Sequence, residues 1–173
     1  ATDMKAAMRA ALGLTRKLLV LDLDNTLGGG VVGETGWRGV RLGGHDYVGE
    51  AVGEFQRSLK GLARRGIQLA IASKNEESVA LEVFENHPEM ILRLEDFAAW
   101  RINWNDKAQN IIEIVKELNL GLDAVVFIDD NPVERARVGD ALREVIVPEW
   151  SNDPVLSSAA LNALPWFDLA ALS

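Results

Sequence analysis

Lys17-Leu18-Leu19-Val20-Leu21-Asp22-Leu23-Asp24-Asn25-Thr26 is an aliphatic run that stops abruptly on two carboxylates, an amide and a hydroxyl. A second stretch, Ala124-Val125-Val126-Phe127-Ile128-Asp129-Asp130-Asn131-Pro132, repeats the pattern. Short apolar runs bounded by turn residues read as strands buried on both faces of a parallel sheet. Ending both on acidic residues crowds negative charge into one crevice, which is costly unless a cation neutralises it. The economical explanation is a divalent metal site that handles phosphate.

Outward from these two strands the chain alternates. Gly28 to Gly44 is glycine-rich, and Val31-Val32 and Val40-Arg41-Leu42 flank Gly33-Glu34-Thr35-Gly36, so residues 28–46 read as a small β-hairpin flap. Val48, Val52, Phe55, Leu59 and Leu62 keep helical spacing from Tyr47 to Arg65, and Gly66 stops that helix. Ile67–Ala72 is a second strand and Glu76–Glu85 a helix broken at His87-Pro88. Met90–Leu94 reads as a third strand, Asp106–Leu118 as a helix, Val133–Leu142 as another, and Glu144–Val147 as a fifth strand ended by Pro148. Residues 4–12 suggest a short amphipathic helix, and the chain's end an irregular stretch with a terminal helix. The expected fold is α/β, a Rossmann-like three-layer parallel sheet of about five strands, with the flap and no large cap domain. Ligands of such sheets bind beyond the carboxyl ends of the strands, where the candidate residues fall.

At 173 residues the chain reads as a single domain, and its start at Ala1 without Met suits a domain excised from a larger protein. Its formal net charge of −8 argues against nucleic acid or an anionic membrane as a general partner. The absence of cysteine excludes disulfides and a thiol nucleophile within this sequence. It shows no signal peptide and no apolar run long enough to span a bilayer, so a cytoplasmic location is expected.

Asp22 and Asp24 are two apart, so in extended backbone both point into one site. Asp22 is placed to attack phosphorus and Asp24 to protonate the leaving oxygen and later activate water. A solvated strand end would explain one aspartate, but not two followed by Asn-Thr and glycines. Ser73, closing the second strand, offers a hydroxyl to a phosphate oxygen; Ser73-x-x-Glu76 is equally a capping box. Lys107 opens a helix, where a cation opposes the helix dipole, and that misfit favours a functional charge over a plain surface lysine. Asn131, Pro132 and Glu134 read as N-cap, first helical residue and completed capping box, which leaves Asp129 and Asp130 unexplained. Mg²⁺ needs near-octahedral oxygen ligands, which Asp22, the backbone carbonyl of Asp24, and Asp130, with Asp129 behind it, would supply. His45 and His87 carry no chemistry in this reading. Trp37 and Trp104 are placed to reach the mouth of the site.

The order Asp22-x-Asp24-x-Thr26, Ser73, Lys107, Asp129-Asp130 resembles the haloacid dehalogenase (HAD) superfamily of phosphatases and phosphotransferases. More finely, Asp22–Leu27, Gly29–Glu34, Ser73-Lys74-Asn75, His87–Met90, Asp96–Trp104, Ile128–Pro132 and Leu164–Leu169 look like the FkbH-like domains of polyketide assembly lines. The resemblance implies a HAD fold, Mg²⁺ as cofactor, and Thr26, Ser73, Lys74 and Asn75 around the phosphate. It implies a phosphorylated three-carbon acid as substrate, typically 1,3-bisphosphoglycerate, whose glyceryl or lactyl unit is loaded on the phosphopantetheine thiol of an acyl carrier protein. Two departures stand out. The family usually has Trp where this chain has Gly28, and many members carry a cysteine before the first strand where this chain has Arg16-Lys17-Leu18-Leu19. Either the carrier thiol attacks the acyl group directly, or the chain is an altered or purely phosphatase-like relative.

Without a sizeable cap the mouth stays open, which suits a tethered arm. Arg57, Lys60, Arg64 and Arg65 lie at near-helical spacing, Arg135, Arg137 and Arg143 follow the second acidic motif, and both groups are candidates for docking an acidic carrier. A solvated helix face explains either equally. A simple phosphatase acting on a small molecule or protein, and a non-catalytic carrier-binding domain, are the competing functions.

Overall fold

The computed structural model describes residues 16–44 and 46–167. The helix expected over residues 4–12 lies outside them, as does His45. Four strands, β1 (Leu18–Leu21), β2 (Gln68–Ser73), β3 (Ala99–Ile102) and β4 (Val125–Ile128), form a parallel sheet in the order β3-β2-β1-β4. Leu18 pairs with Gln68 and Val125, and Leu21 with Ile71 and Ile128, so β1, β2 and β4 end almost level. The helices are α1 (Val32–Thr35), α2 (Tyr47–Arg64), α3 (Glu77–Asn86), α4 (Lys107–Glu117), α5 (Pro132–Ala141) and α6 (Ser157–Asn162).

Strand alternation divides the core. Leu19, Leu21, Leu69 and Ile71 pack with Phe55 and Leu59 of α2 and Val83 and Phe84 of α3. Leu18, Val20, Ala70, Ala72 and Phe127 pack with Ile111 and Ile114 of α4 and Val138 of α5. Both sheet faces are covered, as a parallel sheet requires, and function is pushed to the strand ends.

Three expectations need correction. Met90–Leu94 is not a strand, because the amides of Ile91 and Leu92 both donate to Gln56 Oε1 at 3.1 Å, and β3 forms at Ala99–Ile102 instead. The fifth strand shrinks to one bridge, Val126 to Ile146, before Pro148 stops the run. The flap is not a hairpin either. Only its base pairs, with Gly29 and Arg41 exchanging bonds of 3.0 and 2.9 Å, while α1 and a 3₁₀ turn over Trp37–Gly39 fill the middle. Val31, at the N-cap of α1, has no side chain able to accept, and the Asp24 carboxylate takes that place by accepting from the Val32 amide at 2.9 Å. Gly36, at φ +68°, ends the turn.

Gln56 is the one fully buried polar side chain of α2, and it holds three segments at once. Besides accepting from Ile91 and Leu92, its Nε2 donates to the Leu27 carbonyl at 2.8 Å, fixing the base of the flap to the helix. Gln56→Leu keeps the volume but strands two amides and a carbonyl. Orphaned buried groups cost about 1–3 kcal/mol each, so a loss of roughly 3–5 kcal/mol is expected from urea unfolding. A loss below about 1 kcal/mol would show that these groups find other partners.

Candidate active site

The four carboxylates gather at the carboxyl ends of β1 and β4. The Asp22 amide donates to the Ile128 carbonyl at 3.1 Å, so the ladder carries Asp22 up beside Asp129. One oxygen from each of Asp22, Asp129 and Asp130 falls within 4.8 Å of the others, a group suited to holding a metal ion. This all-oxygen set matches a hard divalent cation such as Mg²⁺. Asp129 is fully buried and Asp22 nearly so.

Lys107 is the counter-charge. The N-cap Asp106, whose carboxylate accepts from the Ala108 amide, starts α4 so that Lys107 is its first residue. Lys107 is 3% exposed, and its Nζ donates to Asp22 Oδ1 at 3.0 Å and to Asp129 Oδ2 at 2.6 Å. Burial alone would lower the lysine's pKa, but the charges of Asp22 and Asp129 outweigh it and hold it above its usual value. Asp22 is raised to about 7, first by burial and further by the charge of Asp129, against the downward pull of Lys107. Asp130 is raised as well, by burial and then by Asp129.

Asp24 faces the other way. Its Oδ1 caps α1 and its Oδ2 accepts from Asn75 Nδ2 at 2.9 Å. Its side chain is outside the metal-binding group, leaving the backbone carbonyl as the atom the sequence reading offers to the ion. Burial raises its pKa against the pull of the Val32 and Asn75 donors. Each carboxylate oxygen has accepted one of the two bonds it can take, so lone pairs remain for proton transfer.

The other expected residues separate by role. Ser73 does not cap α3; Glu76 occupies the N-cap position without a side-chain bond, and Ser73 Oγ is buried with no hydrogen-bond partner. A buried hydroxyl without a partner calls for a ligand or water oxygen. Lys74 pairs with Glu134 at 2.9 Å, linking the loop beyond β2 to the first turn of α5 across the end of β1. Glu134 is thereby taken from the capping box, while Asn131 does cap α5, accepting from the Val133 amide at 2.9 Å. The Thr26 hydroxyl braces the metal side, donating to Asp130 Oδ1 at 3.4 Å. Trp104 is 69% exposed beyond β3, whereas Trp37 packs edge-on against His87, whose Nε2 lies 3.0 Å from the Val40 carbonyl. The basic residues of α2 are not brought to the site. Lys60 pairs with Asp96 at 3.4 Å, and Arg64 and Arg65 sit where the chain enters β2, at the opposite end of the sheet. Arg57 is exposed. Gly28 has no room for a large side chain, since even a Cβ would come 2.7 Å from Val40 Cγ1.

Arg135, read from the sequence as part of a carrier-facing basic group, is instead a support of the acidic loop. Arg135 Nη1 donates to the carbonyls of Asp129, Asp130 and Trp150 at 3.0, 3.0 and 3.1 Å, tying the acidic loop to the C-terminal segment. It is turned inward, away from any docking surface, and Arg137 is paired with Asp106 at 2.9 Å. A cation in the first turns of a helix is the signal that singled out Lys107, and Arg135 carried it too.

No protein-family model and no curated protein matches the chain. Among solved structures, the N-terminal part of the Bacteroides fragilis protein BF1531, containing a phosphatase domain and complexed with Mg, is 44% identical with a TM-score of 0.91 over 96% of this chain. The chain spans only 44% of that structure's length. The HAD domain of the Legionella pneumophila effector Lem4 aligns at TM-score 0.56 and 15% identity, covering 91% of this chain and 97% of that one. A predicted HAD-like hydrolase from Porphyromonas gingivalis aligns at 0.55 and 13%, covering 86% and 97%. With the sheet order and the acidic strand ends, these likenesses establish that the chain has the haloacid dehalogenase fold, without a large cap domain among the described residues.

Proposed function

We propose that this chain is a Mg²⁺-dependent phosphatase of the HAD type with Asp22 as its nucleophile. The observation that carries the reading is the buried Lys107 bonded to Asp22 and Asp129, beside a metal-binding carboxylate group and an unpartnered Ser73 hydroxyl. Mg²⁺, held by Asp22, Asp129, Asp130 and the Asp24 carbonyl, would supply positive charge to the phosphoryl oxygens. Lys107 neutralises Asp22 enough for an anionic phosphate to approach. An Asp22 oxygen bonds to phosphorus as the bond to the leaving oxygen breaks, and Asp24 gives that oxygen its proton. Water then attacks the aspartyl-phosphate, returns a proton to Asp24, frees phosphate and restores Asp22. Ser73 donates to a phosphoryl oxygen throughout. The BF1531 structure, a phosphatase domain with Mg, supports this reading.

The finer reading is an FkbH-like one, in which the substrate is a phosphorylated three-carbon acid and its acyl unit passes to the thiol of an acyl carrier protein. The exposed Trp104 and the uncapped mouth support a long arm entering the site. The sequence has no cysteine, so the carrier thiol itself must attack the acyl carbon.

Asp22→Asn is expected to lower phosphate release from p-nitrophenyl phosphate by ~10³-fold or more, in steady-state assays with Mg²⁺. Full activity would remove Asp22 from the chemistry. Its raised pKa also has a sign. An acid whose folded pKa lies near 7 instead of 3.8 opposes folding increasingly as pH rises between those values, and fully above them. In EDTA at pH 8, Asp22→Asn should therefore melt higher than wild type by at least about 3 °C, with the gap closing toward pH 4. Mg²⁺ should raise the wild-type Tm and have less effect on the variant; an unchanged or lowered Tm for Asp22→Asn in EDTA contradicts the buried-charge account. For the finer reading, intact-protein mass spectrometry of a holo carrier mixed with the chain, Mg²⁺ and 1,3-bisphosphoglycerate should show a glyceryl mass gain. Phosphate release without that gain leaves the plain phosphatase.

A further inference from the structure

One turn beyond Lys107, α4 buries an amide where packing alone would favour an apolar residue. Asn110 lies three residues, or about 4.5 Å of helix, from Lys107 and on the same face. It is fully buried and shares that face with Ile111 and Ile114, which pack on the sheet. A buried amide is costly unless its hydrogen bonds are made. The partner of Asn110 is Asn103, in the turn that leads from β3 into α4.

The direction of their bond is fixed. The Asn105 amide donates to Asn103 Oδ1 at 3.0 Å, and a backbone N–H can only donate, so the accepting atom is the side-chain oxygen. Asn110 Nδ2 donates to the same oxygen at 2.8 Å, while the return bond, from Asn103 Nδ2 to Asn110 Oδ1, is long at 3.5 Å. Asn103 Oδ1 therefore closes the turn on itself and fastens it to α4.

Asn103 reaches β2 as well. Its own amide donates to the Ser73 carbonyl at 3.1 Å, carrying the β2–β3 ladder one residue past Ile102. Asn103 is thus the junction between the strand that ends on the unpartnered Ser73 hydroxyl and the helix that begins with the ammonium of Lys107. The other holds on the start of α4 are weaker. The Asp106 cap bond is 3.4 Å long, and the Asp106–Arg137 pair is exposed, with side chains 37% and 57% accessible. An exposed ion pair restrains little, and a lysine stem is flexible, so the buried amide pair is what fixes where α4 begins.

We propose that Asn103 and Asn110 are positioning residues of the phosphate site, and that they hold Lys107 at the spacing from Ser73 at which ammonium and hydroxyl meet one phosphoryl group. The proposal rests on the phosphatase reading and adds to it two residues that act only through Lys107.

The test measures kcat and KM on p-nitrophenyl phosphate with Mg²⁺, with Tm as the readout of folding. Asn110→Ala removes the donor without adding bulk. It should lower kcat by ~10–100-fold, the cost of misplacing a reacting group by up to about 1 Å, with KM changed less than about threefold. In a Lys107→Met background the same substitution should cost less than about threefold, because the group it positions is gone. Asn103→Ala should repeat the loss, and Asn103→Asp, which keeps the accepting oxygen, should recover most of it. A kcat within about threefold of wild type for both alanine variants overturns the proposal. So does an equal loss with and without Lys107, which is the mark of general packing. If Asn110→Ala fails to fold, the variants of the half-buried Asn103 decide by the same two criteria. A wild type that releases no p-nitrophenol overturns the phosphatase reading and the proposal with it.

Discussion

The site depends on one buried ammonium group. Asp22, Asp129 and Asp130 converge at the ends of β1 and β4, and in a dry crevice their mutual repulsion would force protons onto them or push the strands apart. Lys107, bonded to two of them, makes the cluster tolerable before any metal arrives. The compensation is partial, because burial still lifts Asp22 well above an ordinary aspartate. The fold thus carries a site whose charge is unfinished, which is the condition for binding a cation and an anionic substrate together.

Much of this was legible in the sequence for a physical reason. Apolar runs ending in carboxylates can be satisfied in few ways, and β1 and β4 appear where Leu18–Leu21 and Val125–Ile128 demand them. Lys107 was found through its misfit with a helix start. What stayed hidden was tertiary. Met90–Leu94 has strand composition, but a glutamine two helical turns into α2 takes two of its amides. The flap has hairpin composition, but the Asp24 carboxylate from the loop after β1 caps a helix there instead. Ser73 fits a capping box by spacing, yet it closes β2 with its hydroxyl free. Each case turns on a side chain far away in sequence, which local pattern cannot see.

The supports of the site are spread widely. Arg135 binds the acidic loop to Trp150, Gln56 binds the flap base to α2, and the Lys74–Glu134 pair joins the loop beyond β2 to the first turn of α5. Residues outside the carboxylate group therefore brace it from several parts of the chain, the C-terminal segment included.

Asp24 joins the flap to the reaction. The carboxylate expected to shuttle the proton is also the only side-chain cap of α1. A carboxyl group accepts hydrogen bonds less strongly than a carboxylate, so each protonation of Asp24 loosens the helical turn it holds, and each proton loss tightens it. The helical turn of the flap is therefore tied to the charge of one carboxylate at the end of β1.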